Sequence, residues 1–343
     1  DAIARIEAND PCVTIAKLSY MCLLNLDFML NNTYLKELSI ESCREWTSLE
    51  PLRGNATLEV LDISECQVDS LDVVNHMPSL KRLTVYNNLY DLSIDFLSTN
   101  VTVTHLVITD IIINSLEPIR FNTTLRSVKL DYNYITSLDI LSSNTTLEKL
   151  HLDNNFVSSL EPLRWNTTLK KLYLQQNEIS DIEPLRGNTT LTHLRLIHNA
   201  HLRSLEPLRG NTTLKSFGFD GTPISDLSPL SDSTIVSLSL SRTLVSDLSP
   251  LSTLKRLEFV MINGLQNVKS LDPLGMCPSL KIVDASSNPN VEDLGFLEGN
   301  EIIRKVDAIE CNIRRFPDLS ACLSLTKIDL SDNNIERIDR SHL

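Results

Sequence analysis

Carboxylates recur down the C-terminal part of the sequence at Glu258, Asp284, Asp307 and Asp329, with Glu310 and Asp332 beside the last two. Such a column offers the oxygen ligands that calcium takes. Lys281, Lys305 and Lys327 alternate with it, so a salt-bridged, solvated surface is the expected reading and no metal site is assigned. Histidines recur singly at His105, His151, His193 and His198. None has a nucleophile at a fixed offset, so catalysis by them is not expected. Asn-x-Thr stands at Asn31, Asn55, Asn100, Asn122, Asn144, Asn166, Asn188 and Asn211. That triplet accepts an N-linked sugar when it lies on an exposed loop. Seven cysteines are present, at 12, 22, 43, 66, 277, 311 and 322, without a Cys-x-x-Cys pair or a Cys/His cluster.

These residues are positioned by a repeat. The pattern Leu-x-x-Leu-x-Leu-x-x-Asn begins at Leu35, Leu58, Leu80, Val103, Leu125, Leu147, Leu169, Leu191, Leu214, Ile235, Leu254, Leu280, Ile303 and Leu325. A weaker copy fits Val13, Ala16 and Leu18, giving about fifteen repeats. Most intervals are 21–23 residues, but the one before Leu254 is 19 and the one after it is 26. The irregularity implies an extra loop on the rim, with Asn263-Gly264 as its turn. Alternating leucines make a short strand with one apolar face, which a single repeat cannot bury and stacked neighbours can.

The return segments read Ile-Ser-Asp-Ile-Glu-Pro-Leu at 179–185, Ile-Ser-Asp-Leu-Ser-Pro-Leu at 224–230 and Val-Ser-Asp-Leu-Ser-Pro-Leu at 245–251. With the strand pattern, they make the chain resemble the leucine-rich repeat proteins. They are most similar to the bacterial internalins and the eukaryotic phosphatase-regulator type. The resemblance spans roughly residues 35–343. It implies one curved horseshoe over 1–343, an α/β solenoid with a parallel concave sheet and short helical turns on the convex side. Residues 1–34 are expected to hold a degenerate first repeat and a cap remnant. Asp1 in place of Met, and an unfinished last repeat, are expected to reflect truncation.

The ninth repeat position holds Asn88, Asn133, Asn155, Asn177, Asn199, Asn288 and Asn333, with Cys43, Cys66 and Cys311 in the same slot. Its amides are expected to bond the turning backbone of the next coil. Seven of the Asn-x-Thr sites share another register, three residues before the first leucine, also filled by Asn32, Asn300, Met77, Leu251, Cys277 and Cys322. That company implies a second inward Asn ladder rather than glycosylation sites. Cysteines in both ladders behave as small buried hydrophobes, which favours a reducing, cytoplasmic setting over a secreted or surface one.

On the concave face the expected protein-binding residues are Tyr86, His105, Lys129, Tyr132, Tyr134, His151, Phe156, Tyr173, Arg195 and His198. Tyr134 and Phe156 sit on its adjoining rim; with His193 counted, four of seven His and, apart from Tyr134, three of seven Tyr fall on the face itself, and Tyr and Arg dominate interface hot spots. The face is basic and aromatic in the middle and acidic towards the end, so a protein partner is expected to be complementary. The convex side repeats a Glu-Pro-Leu-Arg lattice, Glu50/Arg53 through Glu206/Arg209, read as structural. Net charge is −13 with a pI near 5.0, which disfavours nucleic acid. No apolar run is long enough to span a membrane. The reading is a non-enzymatic scaffold or regulatory subunit without cofactor. The phosphatase-regulator resemblance makes a signalling enzyme its partner, and the internalin resemblance keeps an extracellular adhesin or receptor ectodomain as the alternative.

Overall fold

A computed structural model describes residues 2–21, 23–43, 45, 48–88, 92–336 and 338. The chain forms two compact units, Asp1–Val157 and Ser158–Leu343. Among the described residues the first carries helix α1 (Ala2–Glu7) and seven strands: β1 (Ile15–Ser19), β2 (Glu37–Glu41), β3 (Val60–Ser64), β4 (Arg82–Tyr86), β5 (His105–Thr109), β6 (Ser127–Lys129) and β7 (Lys149–His151). Each pairs in parallel with its neighbours in sequence. The second carries β8 (Lys171–Tyr173), β9 (His193–Arg195), β10 (Ser216–Gly218), β11 (Ser237–Ser239), β12 (Phe259–Met261), β13 (Ile282–Asp284), β14 (Lys305–Asp307) and β15 (Lys327–Asp329), paired the same way. These are leucine-rich repeat coils, and fifteen strands match the fifteen repeats expected.

From β1 to β14 each coil returns through a short 3-10 turn such as Glu117–Ile119 or Glu161–Leu163, and the segment between β14 and β15 does so without one. Proline in its first residues pre-sets the turn and lacks the N–H needed to extend a helix. The turn's first N–H is bonded by a side chain two residues earlier: Ser115 accepts from Glu117 at 3.2 Å, and Asp181 accepts from Glu183 at 2.8 Å. Between strand and turn lies an aliphatic core, in which Leu125, Val128, Leu130, Ile135 and Leu138 of one coil are all at most 1% exposed. At the N-terminal end Ile6 of α1 is fully buried, and Asn32 Nδ2 donates to its carbonyl at 3.0 Å.

The structure corrects the repeat boundary at 254. β12 starts at Phe259, two residues after Leu257, as every other strand starts two residues after its first apolar position. The repeat therefore begins at Leu257, 22 residues after Ile235 and 23 before Leu280. Leu254, not Leu251, fills the inward slot three residues earlier and is 0% exposed. The extra loop does not exist: Gly264 occupies the eighth position and Leu265 the ninth, fully buried. Leucines at 251, 254 and 257 satisfy the pattern in two registers, which caused the misreading.

Both Asn ladders are present. In the ninth slot Asn155 is 4% exposed; its Oδ1 accepts from Ile135 N at 3.0 Å and its Nδ2 donates to Leu130 O at 2.9 Å. Asn199 and Asn288 repeat the arrangement. The bonds run to the preceding coil, not the next one as expected. In the second slot Asn122 Oδ1 accepts from Thr124 N and Leu125 N at 3.0 and 2.9 Å, while Nδ2 donates to Leu97 O and Asn100 O at 3.1 and 3.0 Å. Asn32, Asn100, Asn122 and Asn144 are buried there, and Asn55, Asn166, Asn188, Asn211 and Asn300 are half-buried. Only Asn31 of the eight acceptor sites is exposed.

Every coil leaves its strand through a left-handed residue at the eighth position. Its φ lies between +47° and +61° at non-glycine residues from Tyr20 to Asp332, and at +64° and +69° at Gly221 and Gly264. A Cβ makes this conformation unfavourable, most of all when branched. No Val, Ile or Thr occupies the position in any repeat.

Candidate protein-binding surface

Strand positions three and five point away from the core, and positions seven, eight and ten form the adjoining rim. In the first unit this open face carries Tyr86 (end of β4), His105, Lys129, Tyr132, Tyr134, His151 and Phe156. Tyr86, His105, Tyr132, Tyr134 and Phe156 are exposed; Lys129 and His151 are half-buried. Lys129 is engaged within the fold, its Nζ 3.3 Å from Asp131, a carboxylate only 7% exposed. Asp131 also accepts from Asp153 N at 2.9 Å. The Tyr134 and Phe156 rings, one coil apart, stack with centroids 5.9 Å apart. With Tyr132 and Ile112 they line a shallow groove of about 360 Å³.

His105 is tethered through the hydroxyl of its neighbour. Thr104 Oγ1 lies 3.2 Å from Lys81 O, to which it donates, and 2.9 Å from His105 Nδ1. The hydroxyl bridges the carbonyl and the ring nitrogen, and which of hydroxyl and imidazole donates follows the ring's tautomer. Thr192 and His193 in the second unit repeat this, with Lys170 O at 3.0 Å. Burial pushes both imidazoles below their usual range, helped by Arg82 and Lys149 at His105 and by Lys171, Lys215 and Arg195 at His193. Near neutral pH both are uncharged hydrogen-bonding rings, not cations.

In the second unit Arg195 sits over the Tyr173 ring, 5.5 Å from its centroid, a cation–π contact between adjacent strands. His198 is exposed, and Gly221 one coil later makes room for it: a Cβ there would fall inside the imidazole. The basic-aromatic column ends here, because its fifth-position successors are Gly218 and Ser239. The ten expected residues thus fall into two sets, one per unit, with Tyr134/Phe156 and Tyr173/Arg195 in direct contact and Tyr132 lining the groove of the first pair. The corrected register adds Phe259 and Met261, half-buried on the open face of β12. Both were hidden by the misplaced repeat start, and Ile112, an aliphatic side chain, carries no hot-spot signal in the sequence.

The carboxylate column begins at Asp284, since Glu258 lies at the second position and pairs with Lys281 at 2.8 Å. Asp284 accepts from Ser286 Oγ at 2.9 Å and Asn263 Nδ2 at 3.0 Å. Asp307 is paired with Lys305 and, at 3.5 Å, Lys327; Asp329 accepts from Ser331 Oγ at 2.6 Å. At least one oxygen of each carboxylate is thus engaged by Ser, Asn or Lys, and Asp307 Oδ1 has only the Lys327 ammonium near it. Among the described residues no group of three His, Cys, Asp or Glu side chains is placed to hold a metal ion.

The return side carries five identical forks. Arg53, Arg120, Arg164, Arg186 and Arg209 each make two hydrogen bonds to the glutamate three residues earlier. Their residues are exposed or, at Arg120, Arg164 and Glu183, half-buried, and such surface pairs contribute little to stability. Where glycine follows the arginine, as at Gly54, Gly187 and Gly210 (φ +71° to +78°), the arginine is extended with ψ near 125°. Where Phe121 or Trp165 follows, it turns helical instead. Those two rings are 83% and 84% exposed.

Residues 167–210 match the family profile described as "Leucine Rich repeats (2 copies)" and residues 321–336 one described as "Leucine Rich repeat". No curated protein sequence matches. Among solved structures, an internalin of Listeria monocytogenes is similar with a TM-score of 0.66 and 19% identity, over 96% of this chain and 89% of that one. A leucine-rich repeat protein of Leptospira interrogans is similar with a TM-score of 0.69 and 16% identity, over 95% and 98%. The leucine-rich repeat ectodomain of the plant membrane receptor kinase GASSHO1/SCHENGEN3 of Arabidopsis thaliana, solved with Casparian strip integrity factor 2, has a TM-score of 0.71 and 16% identity, over 94% and 42%. At these identities the likeness is one of fold. No helix among the described residues is long and apolar enough to cross a membrane.

Proposed function

We propose that this chain, a leucine-rich repeat protein, is a binding module that holds a protein partner against the open face of its parallel strands, as a scaffold or regulatory subunit. The observation that carries the reading is the placement of exposed Tyr86, His105, Tyr132, Tyr134, Phe156, Arg195 and His198 on that face or its rim, while the opposite face buries the aliphatic core. Aromatic and arginine side chains combine large contact area with hydrogen bonding and dominate binding energetics. The plant receptor ectodomain of similar fold, solved with its own partner, supports protein binding by such a scaffold. A signalling enzyme as the partner rests on the repeat resemblance alone.

The cytoplasm is the proposed location. It is supported by thiols that serve the core as thiols: Cys66 Sγ lies 3.2 Å from Ser64 O and Cys277 Sγ 3.2 Å from Leu251 O. The test is affinity capture from the native source with wild type, a Tyr86→Ala/Tyr132→Ala variant of the first unit and a Tyr173→Ala/Arg195→Ala variant of the second. All three are first checked for equal urea midpoints. A partner held by wild type and lost by either variant supports the reading and names the unit. A partner retained equally by all three defeats it and moves the search to the return side, where Phe121 and Trp165 stand in solvent.

A further inference from the structure

We propose that the groove on the rim of the first unit is a subsite for an arginine side chain of the protein partner. It runs over three consecutive coils. One wall is the tenth-position ladder Ile112, Tyr134 and Phe156; the other is the eighth-position column Asp110, Tyr132 and Asn154. The proposal rests on the binding role above and names what that partner must present.

Three observations select a guanidinium. First, the groove offers aromatic faces to solvent: Tyr132 is 59%, Tyr134 53% and Phe156 45% exposed. Such faces attract a cation through their quadrupoles, arginine more often than lysine, because its plane stacks and its hydration is weak. Second, Asp110 at the end of the polar column is exposed, and its carboxylate has no hydrogen-bond or ion-pair partner among the described residues. Neighbouring Asp131, by contrast, is buried against Lys129. No Lys or Arg lines the groove. Third, the second unit contains the same kind of interaction with its cation supplied internally, Arg195 over Tyr173 at 5.5 Å. The Tyr132 groove has the rings and the anion but no cation.

Strain at Tyr132 supports selection for contact. It occupies a left-handed position, with φ +56°, where Asn or Gly costs less. Asn87 and Asn154 show that the slot accepts asparagine in this same unit.

The test uses the whole chain labelled with 3-fluorotyrosine, its resonances assigned by Tyr132→Phe and Tyr134→Phe, and titrated with acetyl-Gly-Arg-Gly-amide and its Lys and Gln analogues. The expected result is a saturable shift of the Tyr132 and Tyr134 signals, with Tyr173 unmoved. The arginine peptide should bind at least about fivefold more tightly than the glutamine peptide, and more tightly than the lysine one. Asp110→Asn should weaken it by about fivefold without unfolding the chain, since asparagine suits the left-handed slot and the Asp110 N–H bond to Asp131 O is main-chain. No saturable shift, equal binding of the three peptides, or an unchanged Asp110→Asn variant overturns the proposal. The tripeptides need no natural partner. Their failure alongside a partner lost by the face variants removes the subsite and leaves the binding module standing. Their binding alongside partner capture unaffected by those variants shows an arginine site that the partner does not fill, and overturns its assignment to the partner.

Discussion

Asn211 donates its side-chain amide to the main-chain carbonyl of Asn188, one coil earlier, at 2.9 Å, while its Oδ1 accepts from the N–H groups of Thr213 and Leu214. Asn188 does the same towards Asn166, at 3.4 Å. Each asparagine closes the turn into its own strand and ties that turn to the previous coil. A leucine at this slot, as at Leu254, fills space but satisfies none of those groups. The Asn-x-Thr triplet is therefore a structural unit: Asn caps the turn, and Thr supplies a β-branched entry to the strand.

Asn122→Ala is expected to lower stability by about 2–3 kcal/mol, because it strands main-chain donors and acceptors that the amide satisfied. Asn31→Ala, at an exposed site, should change it by no more than about 0.5 kcal/mol. Urea unfolding of the two variants makes the comparison. Secretion through a glycosylating cell gives the chemical counterpart: the folded, monodisperse fraction should carry sugar at Asn31 alone by peptide mapping. A sugar on Asn122 in that fraction would contradict the ladder.

The eighth position gives a sharper prediction. Tyr132→Asn should leave stability within about 1 kcal/mol of wild type, since asparagine tolerates the left-handed conformation. Tyr132→Val should cost roughly 1–2 kcal/mol more, from the branched Cβ at φ +56°. Thermal midpoints of the pair decide it. Equal midpoints would mean that the coil does not need the left-handed turn at this residue.

The architecture was legible because a fixed leucine spacing forces stacked coils, and both Asn slots followed from asking what shares a register. The positions of the open-face residues up to β9 followed for the same reason, and those of β12 did not. Three things were not legible. Leucines three apart at 251, 254 and 257 permit two registers, and only main-chain pairing of β12 with β11 and β13 selects Leu257. The direction of the ladder bonds depends on which coil's carbonyl turns inward, which no side-chain pattern encodes. Lys129 looked available for a partner, but its pairing with Asp131 depends on how far that carboxylate sinks beneath the face. The left-handed eighth position was visible only as the absence of Val, Ile and Thr from one column, a signal readable once the register is known.

His105 and His193 give a pH dependence with a definite sign. Burial depresses both imidazoles in the fold, so the unfolded chain takes up protons first as pH falls. Their contribution to stability is complete above the unfolded value of about 6.5 and is lost as pH drops through the folded values. The urea midpoint should therefore fall between pH 7.5 and 5.5, and a His105→Gln/His193→Gln variant should show a smaller fall. The Glu–Arg forks act in a lower window, because their carboxylates are already held below the usual glutamate range by arginine. An acidic group of a partner facing either ring would reverse the sign for binding. It would favour the imidazolium, and affinity would rise over the interval in which stability falls.

The cysteines test whether the core is closed. Cys277 is 1% exposed, and burial pushes its thiol up to about 11. Cys66, Cys311 and Cys322 are shifted in the same direction by the same cause. Thiolate is the reactive form, so at pH 8 these groups should resist iodoacetamide for both reasons, little thiolate and no access. Cys12 is exposed and should alkylate within the first minutes. Peptide mapping over time then separates two mechanisms. If coils open only together, Cys66 and Cys277 should become labelled at one shared rate that rises with urea. If coils open separately, as stacked repeats permit, Cys322, near the C-terminal end and 7% exposed, should label ahead of Cys277. Rapid labelling of Cys277 in the absence of urea would contradict its placement in the inward slot, where Sγ lies 3.2 Å from Leu251 O.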